Sequence, residues 1–263
     1  MSGRGRIHFV GGGPGDPGLI AVKGLELLKA AALVLAPGFY KDTYAEYLAG
    51  KEYFDPFDFH FTEVTGRIEG CLAAGGDAVL LVPGDLAMFS PVQSIIDRFK
   101  SDADFVPGIS TLNAAASVLG RTFDLPGVSH TTIATSPKTI TGSRESIGAL
   151  AKHGATMVLF MNNKTVEALS AELLEGYAPD TPVAIVSNIS LPGQAVIMTT
   201  IGGLKDAVDP DWFLDEDVFK IIVVGGILGS KEDPSWWDRR KDLRDARHAA
   251  KRAGKGPADG KDS

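Results

Sequence analysis

One cysteine, Cys71, stands among the 263 residues, which excludes an internal disulfide and any cysteine-rich zinc site. No apolar run approaches the roughly 20 residues needed to span a bilayer. Met1–Ile7 leads into an apolar strand without the hydrophobic core of a signal peptide. Together these features point to a soluble, cytoplasmic protein with no membrane partner. Gly-Lys-Ser/Thr, Gly-x-Ser-x-Gly and His-Glu-x-x-His are all absent, so a triphosphate loop, a serine-hydrolase elbow and a zinc protease helix are excluded, and no metal is expected. Basic charge is also short: 26 Lys/Arg face 33 Asp/Glu, for a net −7. That argues against nucleic acid as a partner, because phosphate contacts need clustered Lys/Arg.

The charge that is present is unevenly spread. Residues 231–263 hold 10 Lys/Arg against 7 Asp/Glu, a net +3, so the preceding body carries −10. After Trp237 this tail has almost no large apolar residue. It reads as a solvated helix around Asp238–Arg252 that frays into a disordered end from Gly254, with a lipid or RNA tether as the alternative.

Elsewhere 44% of residues are hydrophobic, with 31 Gly and 15 Pro, and short apolar runs alternate with amphipathic stretches, the pattern of an α/β protein. Strands are expected at Arg6–Val10, Ala32–Ala36, Ala78–Val82 and Asp104–Val106, and helices at Leu19–Ala31, Glu63–Ala74, Pro91–Lys100 and Ser110–Leu119. The second half reads as strands Val128–Ala134, Thr156–Met161, Pro182–Asn188, Ala195–Thr200 and Val218–Val224, with helices at Arg144–His153 and Thr165–Leu174. Several of these strands are separated only by turn signals, which predicts antiparallel pairing there. The expected organisation is an α/β domain over 1–110 with a mainly parallel sheet, a second α/β domain over 111–230 with a mixed sheet, and the charged tail 231–263.

Three loops follow apolar strands. Gly11-Gly12-Gly13-Pro14-Gly15-Asp16-Pro17 combines glycines, which admit positive φ and close approach, with prolines, which stiffen. Its spacing does not match the dinucleotide fingerprint, and Asp16 reads equally well as a helix cap. Pro83-Gly84-Asp85-Leu86 lies where open α/β sheets collect ligands. Val106-Pro107-Gly108-Ile109-Ser110-Thr111 feeds a helix through two hydroxyl residues, and taken alone Ser110 is better read as an N-cap.

In this order and at these separations the loops resemble the tetrapyrrole methylase family, S-adenosylmethionine-dependent enzymes of corrin and sirohaem synthesis with a two-domain α/β fold. The likeness runs from about Ile7 to Leu228. It includes Ala21-Val22-Lys23-Gly24, Leu159-Phe160-Met161, Pro182-Val183-Ala184-Ile185-Val186 and Thr199-Thr200-Ile201. Leu125-Pro126-Gly127-Val128-Ser129-His130-Thr131 and His153–Phe160 are most similar to the branch that methylates precorrin-4, or its cobalt form, at C11. The resemblance implies a C-methyltransferase of cobalamin biosynthesis that binds S-adenosylmethionine between its domains, releases S-adenosylhomocysteine, takes a tetrapyrrole substrate and forms a homodimer. It assigns donor binding to Pro14, Gly84, Asp85, Ser110, Thr111, Met161, Asn188, Ile189, Thr200 and Ile201.

A ring-carbon nucleophile needs no activated Ser or Cys, so Asp85 is the one candidate catalytic group, placed near the sulfonium. A polycarboxylate substrate needs cations, for which Arg67, Arg121 and Lys138 lead, ahead of Lys23, Lys41, Arg144 and Lys164. Each also reads as a solvated surface charge. The aromatic stretch Tyr40–Phe61 suits a platform for a flat macrocycle, a packed loop or a dimer contact. Leu86 departs from the family's proline after Gly-Asp, with Phe89 and Ser90 following. The rival readings are another precorrin or uroporphyrinogen methylase of the same fold, and a non-catalytic paralogue that binds tetrapyrrole or cofactor.

Overall fold

The computed structural model describes residues 3–140 and 145–252; Arg144 and the expected frayed end from Gly254 lie outside the described residues. The first half forms β1 (Ile7–Gly11), β2 (Leu33–Leu35), β3 (Glu52–Phe54), β4 (Ala78–Val82) and β5 (Ala103–Val106), in the order β3-β2-β4-β1-β5. Every neighbouring pair is parallel. The second half forms β6 (Thr132–Thr135), β7 (Thr156–Phe160), β8 (Pro182–Ser187), β9 (Ala195–Thr200) and β10 (Lys220–Val224), in the order β6-β7-β10-β8-β9. Here β6 and β7 run parallel and the remaining pairs antiparallel.

Both sheets are apolar on both faces, so their central strands are continuous hydrophobic runs. On one face of the first sheet the helices Phe61–Ala73 and Gln93–Phe99 bury Ile68, Leu72 and Phe99 against Ile7, Phe9 and Leu80. On the other, Leu28 of the helix Val22–Ala30 joins Tyr40 and Tyr44 over Val10, Val34 and Leu81. Each such side chain contributes about 1.5–3 kcal/mol on leaving water. In the second sheet, Ile147, Leu169, Leu173 and Phe213 cover Met157, Leu159 and Ile185. The helix Thr111–Leu119 places Ala114 and Ala115 on the opposite face, against Val158, Ala184 and Val223.

Two strands depart from expectation. β3 falls inside the stretch Tyr40–Phe61, for which no strand is expected. The segment from Val128 joins its strand only at Thr132, because Leu125 and Ser129 exchange backbone hydrogen bonds of 2.7 and 3.0 Å around Gly127 at φ 80°. The tail forms the helix Ser235–Arg252, in which no residue is buried.

The core also makes the fold sensitive to alkali. Tyr177 is buried, donates its hydroxyl to the Ala155 carbonyl at 2.6 Å, and is pushed up to about 12 by burial; Tyr40 and Tyr44 are raised by the same cause. The unfolded chain loses these phenolic protons near pH 10 while the native state keeps them. Native stability is therefore fully present below about pH 10 and is lost as the pH rises from there through the folded values. Urea midpoints should fall between pH 9.5 and 11. Tyr177→Phe should flatten that slope and cost about 1 kcal/mol at neutral pH, from the carbonyl left unpaired.

Candidate active site

The parallel strands of the first sheet all end at one edge, and the loops that leave them carry Gly13, Pro14, Pro37, Phe39, Phe57, Gly84, Asp85, Phe89, Ser110 and Thr111 to one cavity. The second sheet contributes from its facing edge. Lys138 follows β6, Met161 follows β7, Val186 and Ile189 close β8, and Glu216 to Lys220 lead into β10. The enclosed volume is about 450 Å³, within the range of small-molecule sites. Ligand sites of open α/β sheets form at this carboxyl edge, where backbone groups leave the ladder.

The floor is a junction of three backbones. Gly13 and Gly84 exchange hydrogen bonds of 3.1 and 2.9 Å, and a Cβ on Gly108 would lie 2.6 Å from the Gly11 Cα and overlap the Gly84 carbonyl oxygen. Tyr40 and Tyr44, both fully buried, donate their hydroxyls to the carbonyls of Gly13 and Gly12, each at 2.6 Å. Asp85 joins the loops: Oδ2 accepts the Gly108 N–H at 2.7 Å and Oδ1 the Ala87 N–H at 2.9 Å. Ser110 caps its helix by accepting from the Leu112 N–H at 3.2 Å, which satisfies an otherwise orphaned donor.

The two lobes meet around the cavity. Phe39 packs at a tilt against Phe219 with ring centroids 5.1 Å apart, and Phe89 likewise against Phe160 at 4.9 Å. Asp16 donates its backbone N–H to Ser190 Oγ at 2.9 Å. Among the described residues, the non-glycine positions with positive φ are Phe89 (56°), Met161 (47°), Asn188 (49°) and Ser190 (61°). Phe89 and Met161 line the cavity, and Asn188 and Ser190 flank Ile189. Such conformations cost on the order of 1–3 kcal/mol each and gather where a site must be shaped. Lys220 fastens the loop before β10, donating Nζ to the carbonyls of Trp212 (3.0 Å) and Asp215 (2.5 Å). Burial pulls its ammonium below the ordinary lysine value, against the opposing pull of Asp215.

Of the residues assigned from sequence, Pro14, Gly84, Asp85, Ser110, Thr111, Met161, Ile189 and Lys138 line the cavity. Asn188 is not among the lining residues; it donates its backbone N–H to the carbonyl of Phe219, which is, at 2.8 Å. Thr200 and Ile201 do not reach it. β9 runs antiparallel to β8, so Thr200 pairs with Pro182, at the opposite end of β8 from Val186 and Ile189. Thr200 Oγ1 accepts from the Gly203 N–H, and Ile201 is core.

The cations are corrected likewise. Arg67 stacks on Phe59 and Phe54, 4.3 and 4.7 Å from the ring centroids, and Arg121 donates to the Ser230 carbonyl at 2.8 Å; neither lines the cavity. Lys164 pairs with Glu172 at 2.6 Å. The aromatic stretch is mostly short packed elements, two helical turns and β3 among them: Tyr40, Tyr44 and Phe54 are buried, and Phe57 alone among its candidate platform residues lines the cavity. Sequence reasoning missed Phe39, Phe160, Phe219, Glu216 and Lys220. Phe39 follows β2, Phe160 ends β7 and Glu216 to Lys220 lead into β10, and no local pattern joins these three places.

Residues 6–205 match the model of a family described as Tetrapyrrole (Corrin/Porphyrin) Methylases. The chain is 29% identical over 236 residues to the precorrin-4 C(11)-methyltransferase of Rhodococcus erythropolis, covering 87% of this chain and 94% of that protein. It is 30% identical over 211 residues to the cobalt-precorrin-4 C(11)-methyltransferase of Priestia megaterium, covering 77% and 82%. A solved structure of a cobalt precorrin-4 methyltransferase, described as a cobalamin biosynthetic enzyme, superposes with a TM-score of 0.78 at 29% identity, over 84% of this chain and 95% of that one.

Proposed function

Because the chain belongs to the tetrapyrrole (corrin/porphyrin) methylases, we propose that it is the methyltransferase of cobalamin biosynthesis that methylates C11 of precorrin-4 or cobalt-precorrin-4, using S-adenosylmethionine, in the cytoplasm. The observation that carries this reading is the inter-lobe cavity: a backbone-built floor, apolar walls and few charges, at the strand edge where ligands bind.

The cavity suits the donor on its own chemistry. Gly84, at φ 66°, brings its backbone close against Ser110 and Thr111 at the cavity floor. Ser90 Oγ is buried at the wall with no hydrogen-bond partner in the protein, a group that costs about 1–3 kcal/mol unless a ligand or water satisfies it. Peptide groups and the hydroxyls of Ser90 and Thr111 would hold the polar ends of S-adenosylmethionine, and Met161 and Ile189 would face its adenine. When bound, that group supplies an electrophilic methyl on a sulfonium. Asp85 keeps the Gly84 and Gly108 loops in register beneath it. The Phe39–Phe219 and Phe89–Phe160 contacts exclude water and orient the reactants, the route by which most of the acceleration arises when the nucleophile is an electron-rich ring carbon.

Lys138 supplies a cation for a substrate carboxylate. The same reading carries a homodimer, for which the edge strand β9 offers an unpaired backbone edge and the exposed Val196 and Met198. Among the described residues no helix is long and apolar enough to cross a membrane. Incubation with a donor carrying an isotope-labelled methyl and with precorrin-4, or its cobalt form, tests the assignment. One label per product at C11 supports it; S-adenosylhomocysteine binding without any transfer supports the non-catalytic paralogue instead.

A further inference from the structure

We infer that Glu216 is a built-in competitor for the substrate: it occupies Lys138 until a carboxylate of the tetrapyrrole displaces it, and so sets how selectively the cavity admits polycarboxylates. The inference rests on the substrate class proposed above.

Among the described residues the cavity wall carries two cations, Lys138 and Lys220. Lys220 is committed, since its ammonium is held by the carbonyls of Trp212 and Asp215 and lies 5.1 Å from the Trp212 ring centroid. Among the described residues Lys138 is the wall cation left for an incoming carboxylate, and its Nζ is 2.9 Å from Glu216 Oε1. The other carboxylates of the wall are already engaged with backbone: Asp85 with Gly108 and Ala87, and Asp215 Oδ1 with the Asp217 N–H at 2.9 Å. Glu216 therefore presents to Lys138 the chemistry that a propionate or acetate arm of a tetrapyrrole would present.

The pair is built to exchange. The side chains of Lys138 and Glu216 are 49% and 73% exposed, and exposed ion pairs hold weakly in water. A substrate with several carboxylates, held also by its macrocycle, competes at high effective concentration. A ligand with one carboxylate and no ring anchorage does not. The backbone need not follow the side chain out, because Lys220, which follows Glu216, ties the loop to the carbonyls of Trp212 and Asp215, which precede it. Phe219 can stay against Phe39 while Glu216 leaves.

Opposite signs identify a competitor. Glu216→Gln keeps the shape and removes the competing charge; Lys138→Gln removes the cation. Binding of uroporphyrin III, followed by quenching of its fluorescence, should tighten about three- to tenfold in Glu216→Gln and weaken about tenfold in Lys138→Gln, with the double variant matching Lys138→Gln. Calorimetry with S-adenosylhomocysteine should stay within twofold in all three. KM for precorrin-4 should move with the uroporphyrin affinities. A Glu216→Gln variant that weakens uroporphyrin binding, or leaves it unchanged, overturns the inference while the substrate class stands. Wild-type protein that binds S-adenosylhomocysteine but gives no saturable quenching overturns both.

Discussion

Gly108→Ala should weaken S-adenosylhomocysteine about 100-fold. Three chain segments converge at that point: the ends of β1 and β4 and the exit of β5. A Cβ there would overlap the Gly84 carbonyl oxygen and sit 2.6 Å from the Gly11 Cα. All of these are backbone atoms that no rotamer change can relieve. The segments must separate, which breaks the Asp85–Gly108 bond and tilts the Gly13–Gly84 bridge. Overpacking of this kind costs about 1–3 kcal/mol or more, and about 2.8 kcal/mol is 100-fold in affinity.

Gly84→Ala is the graded comparison. Its Cβ would meet Thr111 N and Ser110 Cα at 3.4 and 3.5 Å, an ordinary contact, so only the φ of 66° is strained. The expected loss there is about 1 kcal/mol, about fivefold in affinity. Calorimetry on both variants, with melting curves to confirm folding, checks the ranking. Equal effects at the two glycines would show that close approach is not what shapes the floor.

The second large effect belongs to Asp85. Its carboxylate is engaged by two backbone donors, at 2.7 and 2.9 Å, so in the proposed donor site it is a positioning residue that holds the Gly84 and Gly108 loops together. Hydrogen bonds to a charged group are worth about 1.5–3 kcal/mol each. Asp85→Ala should lower affinity about 100-fold. Asp85→Asn should lower it about tenfold, because one side of the amide offers an N–H to an N–H. The informative readout is the ratio of S-adenosylmethionine to S-adenosylhomocysteine affinity. A positioning role weakens both alike, whereas a carboxylate beside the sulfonium would weaken the charged donor more than the neutral product. A ratio shifted more than fivefold against the charged donor would assign Asp85 direct contact with the positive centre.

The fold was legible where one local rule decided each element. β4 and β9 run over the residues their patterns indicate, Ala78–Val82 and Ala195–Thr200. The three strand-end loops were legible because glycine and proline mark chain that must turn tightly and approach closely. β3 was not, since a three-residue strand gives too short a period to separate from an aromatic loop. Thr200 and Ile201 were misplaced for a topological reason: residues adjacent in a motif share an edge only when strand direction is known, and β9 runs away from the cavity. Arg67 and Arg121 show that charge says nothing of direction, as one guanidinium lies on phenyl rings and the other reaches a chain carbonyl. The aromatic contacts across the cleft join residues more than 70 positions apart, a separation that no window on one sequence can bridge.

On this account the cavity between the lobes is the donor site. A crystal grown with S-adenosylhomocysteine, at a concentration that calorimetry shows to be saturating, tests it most directly. The ligand should lie on the Gly84 and Ser110 peptides, with its adenine against Met161 and Ile189. Saturable binding with the ligand ordered anywhere else, and the Phe39–Phe219 and Phe89–Phe160 pairs collapsed over the cavity between them, would contradict it.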